Sequence, residues 1–100
     1  MSAKLIYEGI VNKLRQSKNN FRCNELIDDL ATLGFEVRSG KKGGHKIFTN
    51  DGIPDFSSGS FNCGHGTNSK IKPVYINQVR KVVEQYEEEI IEYLEGESDD

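Results

Sequence analysis

The sequence lacks tryptophan and has only two cysteines, two prolines and one methionine in 100 residues. Cys23 and Cys63 are too few and too far apart for a disulfide scaffold, so we expect reduced thiols. No apolar run approaches the length of a membrane span, and the N-terminus lacks the apolar core of a signal peptide. These absences predict a soluble, intracellular protein of the cytoplasm, with no membrane contact.

Positive charge is absent from the C-terminal end of the chain. All thirteen Lys and Arg residues lie between Lys4 and Lys81, and nine of the sixteen Asp and Glu residues lie from Glu84 to Asp100. Residues 1–82 therefore carry a formal charge of +6, although the whole chain carries −3. A basic body with an acidic tail occurs in nucleic-acid and phosphate binders, and ordinary solvated surfaces also produce it.

Apolar periodicity predicts two helices before the first strand. The first covers residues 3–17, and the second follows Asn24 as its N-cap and ends at Gly34 as a left-handed C-cap. Their buried faces are predicted to be Leu5 or Ile6, Ile10 and Leu14 in the first helix, and Leu26, Ile27, Leu30 and Leu33 in the second.

Residues 35–49, FEVRSGKKGGHKIFT, predict a hairpin whose strands alternate apolar and polar positions around a glycine-rich turn. A third strand is predicted within residues 55–63, anchored by Phe56 and Phe61. One long amphipathic helix is predicted from Pro73 to Leu94. The fold class is therefore α+β, a small three-stranded antiparallel sheet with helices packed on one face and an extra N-terminal helix. We expect one domain, residues 1–100, with its core in 19–94 and a frayed acidic tail at 95–100.

His45 opens the second hairpin strand beside several cations. Histidine titrates near neutrality, so His45 is a candidate general acid or base. Neighbouring lysines can hold the phosphate and stabilise developing negative charge. The candidate cations are Lys41, Lys42, Lys46, Lys70, Lys72 and Arg80.

Other interpretations of these residues stay open. His45 can be a surface residue, and His65 a second catalytic group, a ligand or an ordinary loop residue. Cys23, His45, Cys63 and His65 form a nominal zinc set, but they lack CxxC or HxxxH spacing, so we predict no metal and no cofactor. The Phe residues at 35, 48, 56 and 61 are assigned to the core rather than to base stacking.

Four segments, in order, resemble the HicA family of toxins, the messenger-RNA interferases of bacterial toxin–antitoxin pairs. They are FRCNEL from Phe21, LGF from Leu33, GGHKIF from Gly43 and KIKPVYINQV from Lys70. The third is similar to the family's Gly-Ser-His-His-Ile-Phe signature, and the fourth to the Lys-Pro-Tyr-Gln-Val opening of the last helix in longer members. The similarity covers roughly residues 19–86.

The resemblance implies a fold like a double-stranded-RNA-binding domain, metal-independent endoribonuclease activity on mRNA, and a HicB-type antitoxin as partner. The signature histidine falls on His45, and Gly43 keeps the glycine. Gly44 replaces the usual serine and Lys46 the second histidine. The alternatives are a non-catalytic RNA-binding module, which these replacements motivate, and a protein-interaction domain, which the acidic tail allows. A homodimer through the last helix is left open.

Overall fold

A computed structural model of the chain describes residues 2–16, 20–64, 66 and 68–97. Within them the backbone forms four helices and a three-stranded antiparallel sheet of order β1-β2-β3. The elements are α1 (Ala3–Gln16), α2 (Cys23–Thr32), β1 (Glu36–Ser39), β2 (His45–Thr49), β3 (Gly59–Asn62), α3 (Pro73–Gln85) and α4 (Glu87–Glu97). The predicted α+β class is confirmed. Of the predicted frayed tail, residues 95–97 belong to α4, and residues 98–100 lie outside the described residues.

Helix α1 packs through Tyr7 as well as through the predicted stripe. Ile10 and Leu14 are buried as predicted, and of the alternatives Leu5 and Ile6 it is Ile6 that packs against the core, since Leu5 is 62% exposed. The Tyr7 hydroxyl donates to the Val83 carbonyl of α3 at 3.1 Å, and burial raises the pKa of Tyr7 to about 12. A tyrosine buried with its hydroxyl paired ties the two helices together.

Helix α2 begins two residues earlier than predicted. Its N-cap is Arg22 rather than Asn24, and the Glu25 carboxylate accepts the Arg22 backbone N–H at 3.2 Å. At the other end Gly34 has φ +100°, and Phe35 N–H donates to the Leu30 carbonyl at 2.9 Å. This is a Schellman cap, so the predicted left-handed role of Gly34 is confirmed.

The two faces of the sheet differ in what covers them. Strands β1 and β2 pair with Val37 opposite Phe48, and β2 and β3 pair with Lys46 opposite Phe61. Phe48 and Phe61 are buried in one hydrophobic core with residues of all four helices. Since side chains alternate along a strand, His45 and Ile47 lie on the opposite face, away from that core.

The predicted single last helix is wrong, because the chain breaks between α3 and α4 at Tyr86, which has φ −107° and ψ 29°. The Tyr86 ring packs edge-on against Phe56 at 5.1 Å between centroids, and its hydroxyl donates to the Asp55 carbonyl at 3.2 Å. These contacts fix Tyr86 outside helical geometry, and α4 then buries Ile90 in the core. Pro73 is in the first turn of α3, as predicted.

The expectation of reduced thiols is also wrong. Cys23 and Cys63 form a disulfide whose Cα atoms are 5.3 Å apart, across a sequence separation of 40. Cys23 is the first residue of α2, and Cys63 follows β3, so the tertiary fold brings together two residues that the sequence keeps far apart. This bond also occupies both thiols that the nominal zinc set would need.

None of the described helices combines the length and apolarity needed to cross a bilayer.

Candidate nucleic-acid interface

A glycine-lined cavity of about 520 Å³ lies where β2 begins and β3 ends. The hairpin turn contributes one wall, and the segment after β3 contributes the other. The backbones meet where Cys63 N–H donates to the Gly44 carbonyl at 2.7 Å. The lining residues are Gly43, Gly44, Lys46, Asn62, Cys63, Gly64 and Gly66.

A second cavity, of about 380 Å³, adjoins the first and shares Asn62 and Gly64 with it. Its other lining residues are Ser69, Lys70, Lys72 and Tyr75, from the segment before α3 and the first turn of that helix. We call the two cavities together the glycine–lysine groove.

The glycine–lysine groove is suited to an anion. Three lysines, Lys46, Lys70 and Lys72, line it, and none of its described lining residues is acidic. Lys46 Nζ donates to Ser39 Oγ at 2.9 Å, which orients that ammonium group. Lys41 and Lys42 are exposed on the adjoining turn. Cations concentrated along a groove attract phosphate and hold it by charge-assisted hydrogen bonds.

His45 lies beside the glycine–lysine groove but does not line it. Its neighbours Gly44 and Lys46 line the groove, while alternation places the His45 side chain on the uncovered face of the sheet. The imidazole packs over Gly40, where a Cβ would lie 2.5 Å from His45 Nδ1 and 3.3 Å from Cε1. The absence of a side chain at Gly40 therefore makes room for the ring.

Arg80 is the predicted RNA-contacting residue that the structure places elsewhere. Its Nη1 donates to Glu84 Oε1 at 2.8 Å, and the Arg15 Nε donates to the other oxygen of the same carboxylate at 3.0 Å. Arg80 does not line the glycine–lysine groove. Its role in RNA binding stays a prediction.

The structure explains the need for glycine at position 44. Gly44 has φ +80°, and a Cβ there would collide with the Gly64 carbonyl oxygen and lie 2.9 Å from Gly64 N. The close approach of the two loops and the left-handed backbone therefore both require glycine. A serine hydroxyl cannot occupy this position in this geometry.

We therefore expect Gly44→Ser to destabilise the protein by about 1–3 kcal/mol, the usual cost of a strained non-glycine backbone. Chemical denaturation measures the change. Gly43→Ser is the matched control, because a Cβ at Gly43 has no neighbour within 4 Å and its φ is not positive. A Gly44→Ser protein as stable as the parent would contradict the expectation.

Sequence reasoning missed Gly40, Asn62, Gly64 and Tyr75. Tyr75 lies within the predicted last helix, and the structure shows that it packs on the core and also lines the groove. The segment after β3 is rich in glycine, as the hairpin turn is. This similarity in composition was the signal that could have identified the segment as part of the site. His65, a candidate in the same segment, lies outside the described residues.

Comparisons with models of protein families, with curated proteins and with solved structures found no match. The resemblance to HicA toxins therefore rests on the four sequence segments alone.

Proposed function

We propose that this chain is a metal-independent endoribonuclease that cleaves mRNA, with His45 as general acid or base and the glycine–lysine groove as its phosphate-binding surface. One observation carries the proposal. The described lining residues of the groove include three lysines and no acidic residue, and His45 lies in the chain between two of them, Gly44 and Lys46. Lysines neutralise the RNA phosphates, and the imidazole supplies the proton transfer that the reaction needs without a metal.

The resemblance to HicA adds the biological setting to the proposal. The chain would be the toxin of a type II toxin–antitoxin system, in the cytoplasm, and a HicB-type antitoxin would cover the histidine and the groove. Helices on one face of an antiparallel sheet support the proposal of a fold like a double-stranded-RNA-binding domain. In such a complex we expect acidic or anion-like groups of the antitoxin to occupy the groove.

Lys70 and Lys72 line the groove together with Asn62, which is paired with His45 across β2 and β3. RNA held by these lysines can therefore extend to His45 at the end of the strand pair, past the exposed turn residues Lys41 and Lys42. A flexible single strand follows such a path more readily than a stiff duplex, so we propose unpaired RNA as the cleaved form.

A second candidate function is RNA binding without cleavage. The specific observation in its favour is that His45 lies outside the groove that the lysines line. The serine of the family signature is also excluded at position 44 by the Gly64 backbone. Both candidate functions use the groove to bind RNA, and only the first includes cleavage of the RNA.

A cleavage assay in EDTA tests the proposal. Purified protein is incubated with a labelled single-stranded RNA, and RNA binding is measured in parallel over a salt series. Cleavage with salt-dependent binding is the expected result. Binding without cleavage would select the second candidate, and the absence of both would refute a nucleic-acid function.

Lys70→Ala/Lys72→Ala is expected to weaken RNA binding and to flatten its salt dependence. Each phosphate contact to single-stranded nucleic acid contributes about −0.7 to the slope of log K against log salt, so losing two contacts changes the slope by about 1.4. Filter binding or fluorescence anisotropy between low and physiological salt measures it. The charge-matched control is Lys4→Ala/Lys81→Ala, two exposed lysines that do not line the groove. Equal slopes for the two variants would place the RNA elsewhere.

A further inference from the structure

The disulfide forms part of the wall of the glycine–lysine groove. Cys63 lines the larger cavity, and its sulfur is bonded to that of Cys23 at the start of α2. Both residues are almost fully buried, with 0% and 1% of their surfaces exposed. The bond therefore connects the helical layer directly to the segment that leaves β3.

Hydrogen bonds hold the segment that carries the groove lysines to the same short stretch of chain. Cys23 N–H donates to the Ser69 carbonyl at 2.9 Å, and Ile71 N–H donates to the Phe21 carbonyl at 2.8 Å. The Arg22 guanidinium donates to the Asn68 carbonyl at 2.7 Å. Residues 21–23 thus hold residues 68–71 on both sides of Lys70, and the disulfide fixes the same stretch covalently to the end of β3.

We propose that the Cys23–Cys63 disulfide is a redox switch that controls the order of the groove segment, residues 68–72, and through it the affinity for RNA. Its effect on RNA rests on the proposed function. Disulfides in the proposed compartment, the cytoplasm, are usually transient and redox-sensing rather than permanent. A disulfide that borders a binding groove, in a chain with only two cysteines, fits that behaviour.

The reductant is a dithiol, and the reaction is thiol–disulfide exchange in two steps. Because both cysteines are almost fully buried, exchange requires a transient local opening beside the cavity that Cys63 lines. A dithiol thiolate then attacks the Cys63 sulfur, a sulfur–sulfur bond forms between them, and the Cys23–Cys63 bond breaks to release Cys23 as a thiolate. The second thiolate of the reductant then attacks the reductant sulfur that is bonded to Cys63. This step forms the reductant's own disulfide and releases Cys63 as a thiolate. Two electrons pass from the dithiol to the protein, and the two released thiolates take up protons from water.

The structure favours attack at Cys63 rather than at Cys23. Cys63 lines the cavity and Cys23 does not. Cys23 is the first residue of α2, where the positive end of the helix dipole stabilises the negative charge of the leaving sulfur. The position of Cys63 beside the cavity and the stabilisation of the Cys23 thiolate therefore both favour attack at Cys63.

Reduction is expected to loosen residues 68–71 while the core persists, because the remaining attachments there, apart from the buried side chain of Ile71, are individual hydrogen bonds. Lys70 and Lys72 must then be ordered when RNA binds, and ordering two such side chains weakens affinity by about tenfold. The change reverses on reoxidation.

The experiment compares the oxidised full chain with the same chain reduced by dithiothreitol. Native-state hydrogen exchange follows the amides of Cys23, Cys63 and Ile71, with core amides of α2 and α3 as the internal reference. Anisotropy with a labelled single-stranded RNA follows affinity. Cys23→Ala/Cys63→Ala is the control that cannot respond to dithiothreitol, and thiol titration confirms reduction of the parent.

The expected result is that reduction accelerates exchange at these amides at least tenfold more than at the core amides of α2 and α3, which change only by the global loss of stability, and that it weakens RNA binding about tenfold. Unchanged exchange in a chain with two titrated thiols overturns the proposal. Exchange at the global rate throughout also overturns it, because the bond would then support the whole fold. If reduction loosens the segment but neither form binds RNA, the disulfide still controls the segment and the proposed function is refuted.

Discussion

His45→Ala is expected to slow RNA cleavage in EDTA by about 10²- to 10⁴-fold, the contribution of one general acid or base. The alanine variant should keep the parent's affinity for RNA, because the phosphate contacts assigned to Lys70 and Lys72 lie on the groove side of the sheet. The half-exposed position of His45 at the start of β2 predicts little effect on stability. Single-turnover cleavage rates and anisotropy on the same preparations measure the two quantities separately.

Two outcomes would contradict the assignment of His45. Equal cleavage by parent and variant would point to another site or to a contaminating nuclease. A loss of cleavage that only follows a loss of binding would show that His45 holds the substrate rather than moves a proton. Both outcomes can be recognised because rate and affinity are measured independently.

Gly40→Ala tests the same assignment without removing the imidazole. Its φ is not positive, so alanine fits the backbone, but the new Cβ would lie 2.5 Å from His45 Nδ1 and must displace the ring. We expect a lower cleavage rate at saturating RNA with little change in affinity. Gly9→Ala on α1 is the matched control, since a Cβ there has no neighbour within 4 Å.

Removal of the disulfide is expected to produce the largest loss of stability. Cross-linking two residues separated by 40 positions restricts the unfolded chain, and a loop of this length corresponds to about 4 kcal/mol. For a domain of this size, Cys23→Ala/Cys63→Ala should therefore lower Tm by roughly 15–30 °C. Calorimetry of the oxidised parent and of the double variant measures the change.

The reduced parent separates the two contributions to that loss. It keeps both buried sulfur atoms, so its difference from the oxidised protein reports the cross-link, and its difference from the double variant reports packing of the side chains. A change below about 1 kcal/mol on reduction would contradict the chain-entropy argument for this bond.

The last helix shows that local periodicity predicts the presence of a helix more reliably than it predicts whether the helix is continuous. Apolar residues at helical spacing run from Tyr75 to Leu94, and nothing in that stretch is a helix breaker. The break at Tyr86 comes from Phe56 and the Asp55 carbonyl, some thirty residues away. Contacts of that range leave no trace in local periodicity.

Prediction of the candidate site was limited in the same way, because residue types could be recognised but contacts between distant segments could not. The sequence identified His45, the turn lysines, Lys70 and Lys72 from their chemistry and from the resemblance. It did not reveal that Asn62, Gly64 and Tyr75 lie between them, because these residues become neighbours only when β3 pairs with β2 and α3 packs beside it. It also placed His45 correctly on a strand without showing that His45 does not line the groove.

Periodicity and the conformational preferences of single residues were enough to predict the α+β class, most of the buried helix faces, the Gly34 cap and the hairpin. The pairing of Cys23 with Cys63, the break at Tyr86 and the need for glycine at position 44 became visible only in the folded chain. Each of these depends on atoms that are distant in the chain and adjacent in the fold. The physical reason is that local preferences act within a few residues, whereas disulfide geometry, ring packing and steric exclusion act between segments.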